Sequence, residues 1–341
     1  MRKFMVLAAA LAVAMAGLAT PALAKMTIKY GHVAPPFHGQ SKGVDAFAKY
    51  VSEKTNGEIE VKTFPFGQLG AERSMAEQVQ AGTLEMASIT TAVLQNYVPQ
   101  MAVMDLPFVF PDRKTAYAVI DDPEWQKKIF GYLPKKGFIG IGWTENEIRD
   151  ITNSKRPIRK PEDVAGLKIR VMESPVYLDT FKQLGASPVG IPFPELYSAL
   201  QQGVIDAQEN PLYTSILIKA TEITKFATKT QHIVTECVQI VSADFWEKLK
   251  PEQQKIFREA AALALKVNRE ETAKDFNNLP KLNISIDEYC KQNGVQVIEL
   301  TAAERKAFAD AVKPVWAKYR DVVGADLYDF FMATIKKHSG K

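Results

Sequence analysis

The sequence lacks the short motifs that mark several large enzyme classes. It contains no H-E-x-x-H, no C-x-x-C and no G-x-x-x-x-G-K-[ST] loop, which are the patterns of zinc proteases, dithiol oxidoreductases and P-loop nucleotide-binding proteins. Gly140 and Gly142 have the first spacing of a dinucleotide-binding turn, but the third glycine is missing and Trp143 follows. The motifs therefore give no support for these classes, and we expect a protein that is not an enzyme.

Histidine and cysteine are also scarce. The chain has four histidines, of which His32 and His38 are nearest to each other, and no carboxylate or thiolate partners stand beside them at the spacing of a metal site. We therefore expect no metal and no cofactor. Cys237 lies in an apolar run typical of a strand and Cys290 in a predicted helix. The sequence leaves open whether they form a disulfide or pack as two separate core residues.

The chain has one long apolar run and little net charge. Its 43 Lys and Arg against 39 Asp and Glu are too small an excess to indicate binding to nucleic acid or an anionic membrane. After Arg2 and Lys3 no charge occurs until Lys25, and the apolar run between them is shorter than the ~20 residues of a spanning helix. We interpret residues 1–24 as a signal peptide cleaved after Ala24, so the mature protein is expected to be periplasmic.

Alternating strands and helices predict an α/β fold with two lobes. Strand, helix and strand follow one another within residues 26–63, which is the pattern of a βαβ unit. The segment 167–206 repeats this order. Residues 79–85 and 200–206 also resemble each other, because each contains a helix end, a glycine and a strand with an acid at its third position. At 341 residues the chain is longer than one core usually organises. We therefore expect two related lobes on either side of a cleft.

The predicted lobe boundaries are discontinuous. Residues 25–147 are assigned to the first part of lobe I and residues 148–230 to lobe II. Residues 231–341 are assigned to a strand that returns to lobe I, a hinge, and C-terminal helices shared by both lobes. Thr301 and Glu304 form a capping box for one of these helices, which carries Phe308, Val312 and Val315, and Pro314 is expected to kink that same helix.

One arginine stands in a strand pattern. Alternation places Arg170 on the face opposite Leu167, Ile169 and Val171, near the carboxyl end of its strand, where open α/β sheets bind ligands. An unpaired buried guanidinium is unfavourable, and its planar fork matches a carboxylate or sulfonate. By spacing alone, a ligand and a structural ion pair with Glu173 or Glu195 explain Arg170 equally well.

Five segments in this order resemble the solute receptors of tripartite ATP-independent periplasmic (TRAP) transporters, the DctP-like family. The segments are Gly67-Gln68-Leu69-Gly70-Ala71-Glu72-Arg73, Asp105-Leu106-Pro107-Phe108-Val109-Phe110, Arg149-Asp150-Ile151-Thr152-Asn153-Ser154-Lys155, Pro161-Glu162-Asp163-Val164-Ala165-Gly166-Leu167-Lys168-Ile169-Arg170-Val171 and Gln208-Glu209-Asn210-Pro211-Leu212. The resemblance covers nearly all of the chain after residue 24. It implies a type II-like periplasmic binding protein fold, with strands crossing a hinge and long C-terminal helices.

The resemblance also implies roles for particular residues. Arg170 would clamp the ligand's carboxylate, Arg149 would support the same group, and Asn210 would donate a hydrogen bond to the ligand. Arg73 would either reach the ligand or brace the cleft. Further candidates for the cleft walls, for several of which core packing is an alternative, are His32, Thr90, Trp143, Met172, Phe193 and Tyr213.

The implied function is a periplasmic receptor that delivers a small organic anion to a small and a large integral membrane subunit. Charge balance ranks a hydroxy or keto carboxylate first, a small sulfonate second and a C4-dicarboxylate third. A ligand-sensing protein and a periplasmic enzyme acting on an organic acid are alternatives of another class. We expect a monomer.

Overall fold

A computed structural model describes residues 25–340 of the protein, so the predicted signal peptide, residues 1–24, lies outside the described residues. In that range nine strands form one mixed sheet, in the order β2-β1-β3-β8-β4-β7-β5-β6, with β9 paired to β8. The strands are β1 Met26–Gly31, β2 Ile59–Phe64, β3 Met86–Thr90, β4 Phe138–Asn153, β5 Lys168–Val171, β6 Ser187–Gly190, β7 Ala207–Asn210, β8 Phe226–Ser242 and β9 Gln296–Glu299. The predicted α/β class is confirmed.

Two long antiparallel strands, β4 and β8, join the two ends of this sheet. Residues 138–145 of β4 pair with residues 236–242 of β8 beside β3, whereas residues 148–153 pair with residues 226–234 beside β7. The register shifts between Glu145 and Ile148. The sheet therefore has two halves, one with β1, β2 and β3 and the other with β5, β6 and β7, and β4 and β8 run through both.

Both crossing strands carry a backbone irregularity at a place where their pairing register shifts. Glu147 in β4 has φ 75° and Gln231 in β8 has φ 48°, a region that residues with a side chain rarely occupy. These positions coincide with the predicted lobe boundaries at 147/148 and 230/231. The boundaries remain a prediction, and the irregular residues are the positions at which bending of the strands is expected.

Helices cover the sheet. They are α1 Gly39–Lys54, α2 Glu72–Gln80, α3 Thr91–Leu94, α4 Arg113–Ile120, α5 Pro123–Phe130, α6 Pro175–Gln183, α7 Leu196–Gln201, α8 Leu212–Leu217, α9 Ala243–Trp246, α10 Pro251–Asn277, α11 Ile286–Gln292, α12 Ala302–Ala311, α13 Lys313–Val323 and α14 Ala325–Ser339. Within residues 25–340 no helix is both long and apolar enough to span a bilayer.

The longest helix, α10, packs closely on α1. A Cβ atom placed on Gly39 would lie 2.1 Å from Oγ1 of Thr272, and one on Gly43 would lie 2.5 Å from the carbonyl oxygen of Ala264. Only glycine permits this approach, because both distances are shorter than any real carbon contact. Phe47 and Phe257 then meet edge-on, with ring centroids 5.5 Å apart, in the core beneath β1 and β2.

Some local predictions were wrong in detail. The strands predicted at the ends of segments 79–85 and 200–206 begin later, at Met86 and Ala207, because the last residues of both segments still belong to the turn after the helix. Instead of kinking one helix, Pro314 lies in the first turn of α13, after α12 has ended at Ala311. The predicted capping box at Thr301 is confirmed.

The two cysteines are separate free thiols. Cys237 and Cys290 are both buried and unpaired. Cys237 lies in the middle of β8, whereas Cys290 packs in a small apolar cluster around α11. The alternative of two separate small buried residues is therefore the one observed.

Candidate functional site

A small cavity lies between the two halves of the sheet. Its lining comes from the ends of β3, β5 and β7 and the start of α2, so both halves contribute. The lining residues are Val33, Ala34, Pro35, His38, Gln40, Glu72, Thr90, Asn146, Arg170, Met172, Phe193, Asn210, Thr214 and Cys237.

Arg170 provides the cavity with a positive charge that no protein carboxylate pairs with. It is the third residue of β5 and only 2% exposed. Its Nε donates to the carbonyl oxygen of Ile191 at 2.8 Å, whereas Nη1 has no hydrogen-bond partner. Within residues 25–340 it forms no ion pair, so the structural alternative with Glu173 or Glu195 is not observed. Burial lowers the pKa of Arg170 to about 10, which leaves the guanidinium charged at neutral pH.

Arg149 lies behind the cavity, and its positive charge is already paired with a protein carboxylate. It is fully buried in β4, where Nε donates to one carboxylate oxygen of Glu209 and Nη2 donates to the other at 2.9 Å. His232 adds a contact of 3.3 Å from Nε2 to the same carboxylate. Although burial opposes its charge, Arg149 and His232 lower the pKa of Glu209. The two arginines therefore differ, because Arg149 holds a protein carboxylate and Arg170 holds none.

Asn210 connects Arg149 to the cavity wall. Its Oδ1 accepts from Nη2 of Arg149 at 3.0 Å, and its Nδ2 donates to Oε1 of Gln208 at 2.5 Å. These contacts fix the orientation of the amide at the end of β7, where Asn210 lines the cavity. One of its two amide hydrogens remains available to a ligand.

Three more of the predicted wall residues line the cavity: Thr90, Met172 and Phe193. Thr90 ends β3, and Met172 directly follows β5. Phe193 meets Phe66 edge-on, with centroids 6.5 Å apart. The cavity thus combines one charged end with an apolar and hydroxyl-bearing wall.

Four predicted site residues lie elsewhere. The Arg73 side chain is 64% exposed and pairs with Glu77 at 3.3 Å on the outer face of α2. Trp143 packs on Phe130 with ring centroids 4.6 Å apart, outside this cavity. The hydroxyl of Tyr213 donates to Asp275 at 2.6 Å, and the tyrosine borders a different cavity.

His32 is also absent from the lining. It is buried beside the cavity at the end of β1, and burial lowers its pKa to about 4. In all four cases the direction of the side chain depends on packing against neighbouring elements, which the local sequence does not specify.

The sequence analysis overlooked Glu72. It begins α2 and is 7% exposed, and its carboxylate accepts hydrogen bonds from Thr90 N at 2.7 Å and Thr90 Oγ1 at 3.2 Å. Burial raises its pKa to about 7, against the opposing effects of Thr90, Arg170 and Arg149. Glu72 lies next to Arg73 in one of the segments that resemble the family. Its place in that segment was the one feature of the sequence that could have indicated a site residue.

Polar contacts also join the two sides of the cavity. Nε2 of His38, which precedes α1, lies 3.3 Å from Oγ1 of Thr214 in α8. Burial lowers the pKa of His38 to about 3, so the imidazole is neutral. Gln40 donates to Ser88 and to Thr144, each at 3.0 Å. The contact between His38 and Thr214 therefore joins the two sides, whereas those of Gln40 stay within the first part of lobe I; neither adds charge.

The segment 39–43 has the spacing G-x-S-x-G, which the sequence analysis missed. Its serine, Ser41, is buried within α1 and donates to the carbonyl oxygen of Pro35 at 2.6 Å. In the described residues no histidine hydrogen-bonds to Ser41, and both glycines serve the packing on α10. The segment is therefore a helix-packing element and not a nucleophile elbow, which requires a serine on an exposed strand-to-helix turn.

The fold and the cavity define a ligand receptor. One sheet is bridged by two crossing strands, its halves enclose a small cavity, and one unpaired guanidinium points into that cavity. Groups of histidine, cysteine or carboxylate that could hold a metal ion are absent from residues 25–340. The chain belongs to the bacterial extracellular solute-binding proteins of family 7 (DctP), whose family model matches residues 30–321.

Relatives of known ligand agree with this assignment. The 2,3-diketo-L-gulonate-binding periplasmic protein of Escherichia coli (strain K12) is 32% identical over 298 residues, 87% of this chain and 88% of that protein. The sugar acid binding protein of Advenella mimigardefordensis in complex with galactonate has a TM-score of 0.85 and 31% identity, covering 92% of this chain and 99% of that one.

A TRAP periplasmic solute binding protein of Sulfurospirillum deleyianum with bound succinate has a TM-score of 0.84 and 34% identity, covering 91% of this chain and 99% of that one. The family and the fold predicted from the sequence are confirmed by these matches.

Proposed function

We propose that the protein is the periplasmic receptor of a TRAP transporter for a small hydroxy or keto carboxylate. The observation that carries this proposal is Arg170, a buried guanidinium that no described carboxylate pairs with and that lines the cavity between the two halves of the sheet. A ligand carboxylate supplies the missing negative charge and accepts two parallel hydrogen bonds from the planar fork. The similarity to receptors for galactonate and 2,3-diketo-L-gulonate supports the same ligand class.

Charge balance favours a ligand with one acid group. Glu209 compensates Arg149, and Arg170 is the only arginine or lysine among the described residues that line the cavity. A second carboxylate would therefore find no cation of its own in this lining. We therefore rank a C4-dicarboxylate below a hydroxy or keto acid, although the relative with succinate shows that this fold accepts one. A small sulfonate also matches the fork of Arg170.

Binding is proposed to favour a closed arrangement of the lobes. Lobe I contributes Glu72 and Thr90 to the cavity, whereas lobe II contributes Arg170 and Asn210. A ligand held by both sides binds the closed state more tightly than the open one, which shifts the equilibrium between them. The irregular residues Glu147 and Gln231 are the proposed hinge points.

The transport role requires partners. We propose that the closed, liganded receptor docks on a small and a large integral membrane subunit and releases the ligand to them. Receptor, ligand and membrane subunits would then act without chemical change of the ligand. A sensing role remains the second candidate, and binding to a sensor kinase rather than to the membrane subunits would identify it.

A ligand panel tests the proposal. The mature protein is assayed by thermal shift and calorimetry with galactonate, 2,3-diketo-L-gulonate, succinate and isethionate, with galactose as a neutral control. A ligand at 100 times its dissociation constant stabilises the folded state by about 2.7 kcal/mol. We expect stabilisation by the sugar acids and none by galactose. Binding of neutral sugars alone would refute the proposed class, and conversion of a ligand during the assay would identify an enzyme.

A further inference from the structure

We propose that Glu72 is a proton-linked residue of the binding cavity, which takes up one proton from solvent when an anion binds to Arg170. The resulting carboxyl O–H then faces the ligand as a hydrogen-bond donor. This inference rests on the proposed function, because it requires an anionic ligand in the cavity. No covalent bond forms or breaks in the ligand, and the proton returns to solvent when the ligand leaves.

The position of Glu72 carries the argument. Its carboxylate faces the same cavity as Arg170 and comes from the opposite lobe. Both of its hydrogen bonds come from Thr90, a neutral residue. Within the described part of the chain it forms no ion pair with a lysine or arginine. A bound anion would therefore lie between Arg170 and an acidic group that has no cation of its own.

Without ligand, Glu72 is present in both its protonated and its ionised form near neutral pH. Burial raises its pKa to about 7, while the hydrogen bonds from Thr90 and the charges of Arg170 and Arg149 lower it. An anion on Arg170 neutralises one of these cations and adds a like charge nearby, and both effects raise the pKa further. Binding therefore draws a proton onto Glu72 at any pH between the ligand-free value and the higher liganded value.

The sign of the pH dependence follows from this linkage. Below about pH 7 Glu72 is already protonated without ligand, so the affinity is at its maximum and flat. As the pH rises above that value the affinity falls, by at most roughly tenfold per pH unit for one proton. A fixed anion site built only from arginine would show no such decline in this range.

The other charged groups around Glu72 do not reproduce this behaviour. Arg170 from β5 has a pKa of about 10 and stays charged, and the buried Arg149 from β4 stays paired with Glu209. Burial raises the pKa of Cys237 from β8 well above its ordinary value, so the thiol is neutral.

Three further groups complete the surroundings. His32 and His38 have pKa values lowered by burial to about 4 and about 3, so both are neutral above pH 6. Asp105 precedes β4 in a short 3₁₀ segment, and burial raises its pKa to about 8. It is therefore the one neighbour that titrates in the same range, but its carboxylate accepts from Thr91 at 2.9 Å and does not line the cavity.

Calorimetry with galactonate tests the proposal on the mature protein. Titrations at about pH 7.5 in phosphate and in Tris, whose ionisation heats differ, give the number of protons taken up. We expect an uptake between zero and one proton in the wild type, and an affinity that declines across about pH 7–8.5. Glu72→Gln should show no uptake and a flat profile. Asp105→Asn is the matched control and should keep the uptake.

Each outcome separates this inference from the proposed function. If no carboxylate of the panel binds, the proposed function fails and the inference fails with it. If galactonate or another carboxylate binds without proton uptake, only the inference is overturned. Uptake that persists in Glu72→Gln or disappears in Asp105→Asn assigns the proton to another group, which also overturns it. Should Glu72→Gln not fold, Glu72→Asp must retain the uptake with a displaced midpoint.

Discussion

Replacing Arg170 with alanine should abolish tight ligand binding and leave the ligand-free protein folded. Its guanidinium has one protein hydrogen bond, from Nε to Ile191, and Nη1 has no partner. A bound carboxylate supplies the missing partner. Truncating one member of a buried charge pair weakens binding by about 2–5 kcal/mol, which corresponds to roughly 30- to several-thousand-fold in the dissociation constant.

The stability of the ligand-free protein should change much less. The substitution removes one hydrogen bond from the charged guanidinium to a backbone carbonyl, which contributes about 1.5–3 kcal/mol. It also removes a buried charge that has no carboxylate partner, so part of this loss is offset. We expect the melting temperature without ligand to fall by no more than about 4 °C.

Two variants accompany Arg170→Ala in the calorimetric assay. Arg170→Lys keeps the charge but cannot form the planar fork, so it should also bind poorly. Arg73→Ala is the matched control, because the Arg73 side chain is exposed and pairs with Glu77 on the outer face of α2, outside the cavity lining. Near-normal affinity in both Arg170 variants, or a comparable loss in Arg73→Ala, would refute the assignment of the anion site.

Three further predictions concern the neighbouring residues and the chain start. Asn210→Ala should weaken binding by about 1.5–3 kcal/mol, because a donor to a charged group is lost, and a loss as large as that of Arg170→Ala in calorimetry would contradict this. Arg149→Ala should instead lower the free energy of unfolding by about 3–5 kcal/mol, since Glu209 would stay buried without its partner; an unchanged urea midpoint would contradict this. Intact mass of the periplasmic protein should correspond to a chain beginning at Lys25, and retention of residues 1–24 would contradict the proposed export.

Hydrophobic patterning and turn residues made much of the architecture predictable. The alternation at Met26–Gly31 and Lys168–Val171 identifies strands, and the spacing within Pro175–Gln183 identifies a helix. Patterns of this kind are local, since they depend on which residues recur on one face. The position of Arg170 near the end of its strand was also visible, and so were the segments that indicate the family.

Only the tertiary structure shows that Arg149 pairs with a protein carboxylate, whereas Arg170 is left for a ligand. Arg149 and Glu209 are 60 residues apart in the chain and meet because β4 and β7 pair side by side. Glu72 and Arg170 likewise face the same cavity only because the two lobes enclose it. Glu72 lines the cavity while Arg73 faces solvent, because one residue along α2 turns a side chain by about 100°. Local pattern thus determined the elements and the family, whereas pairing between distant strands decided which charges remain for a ligand.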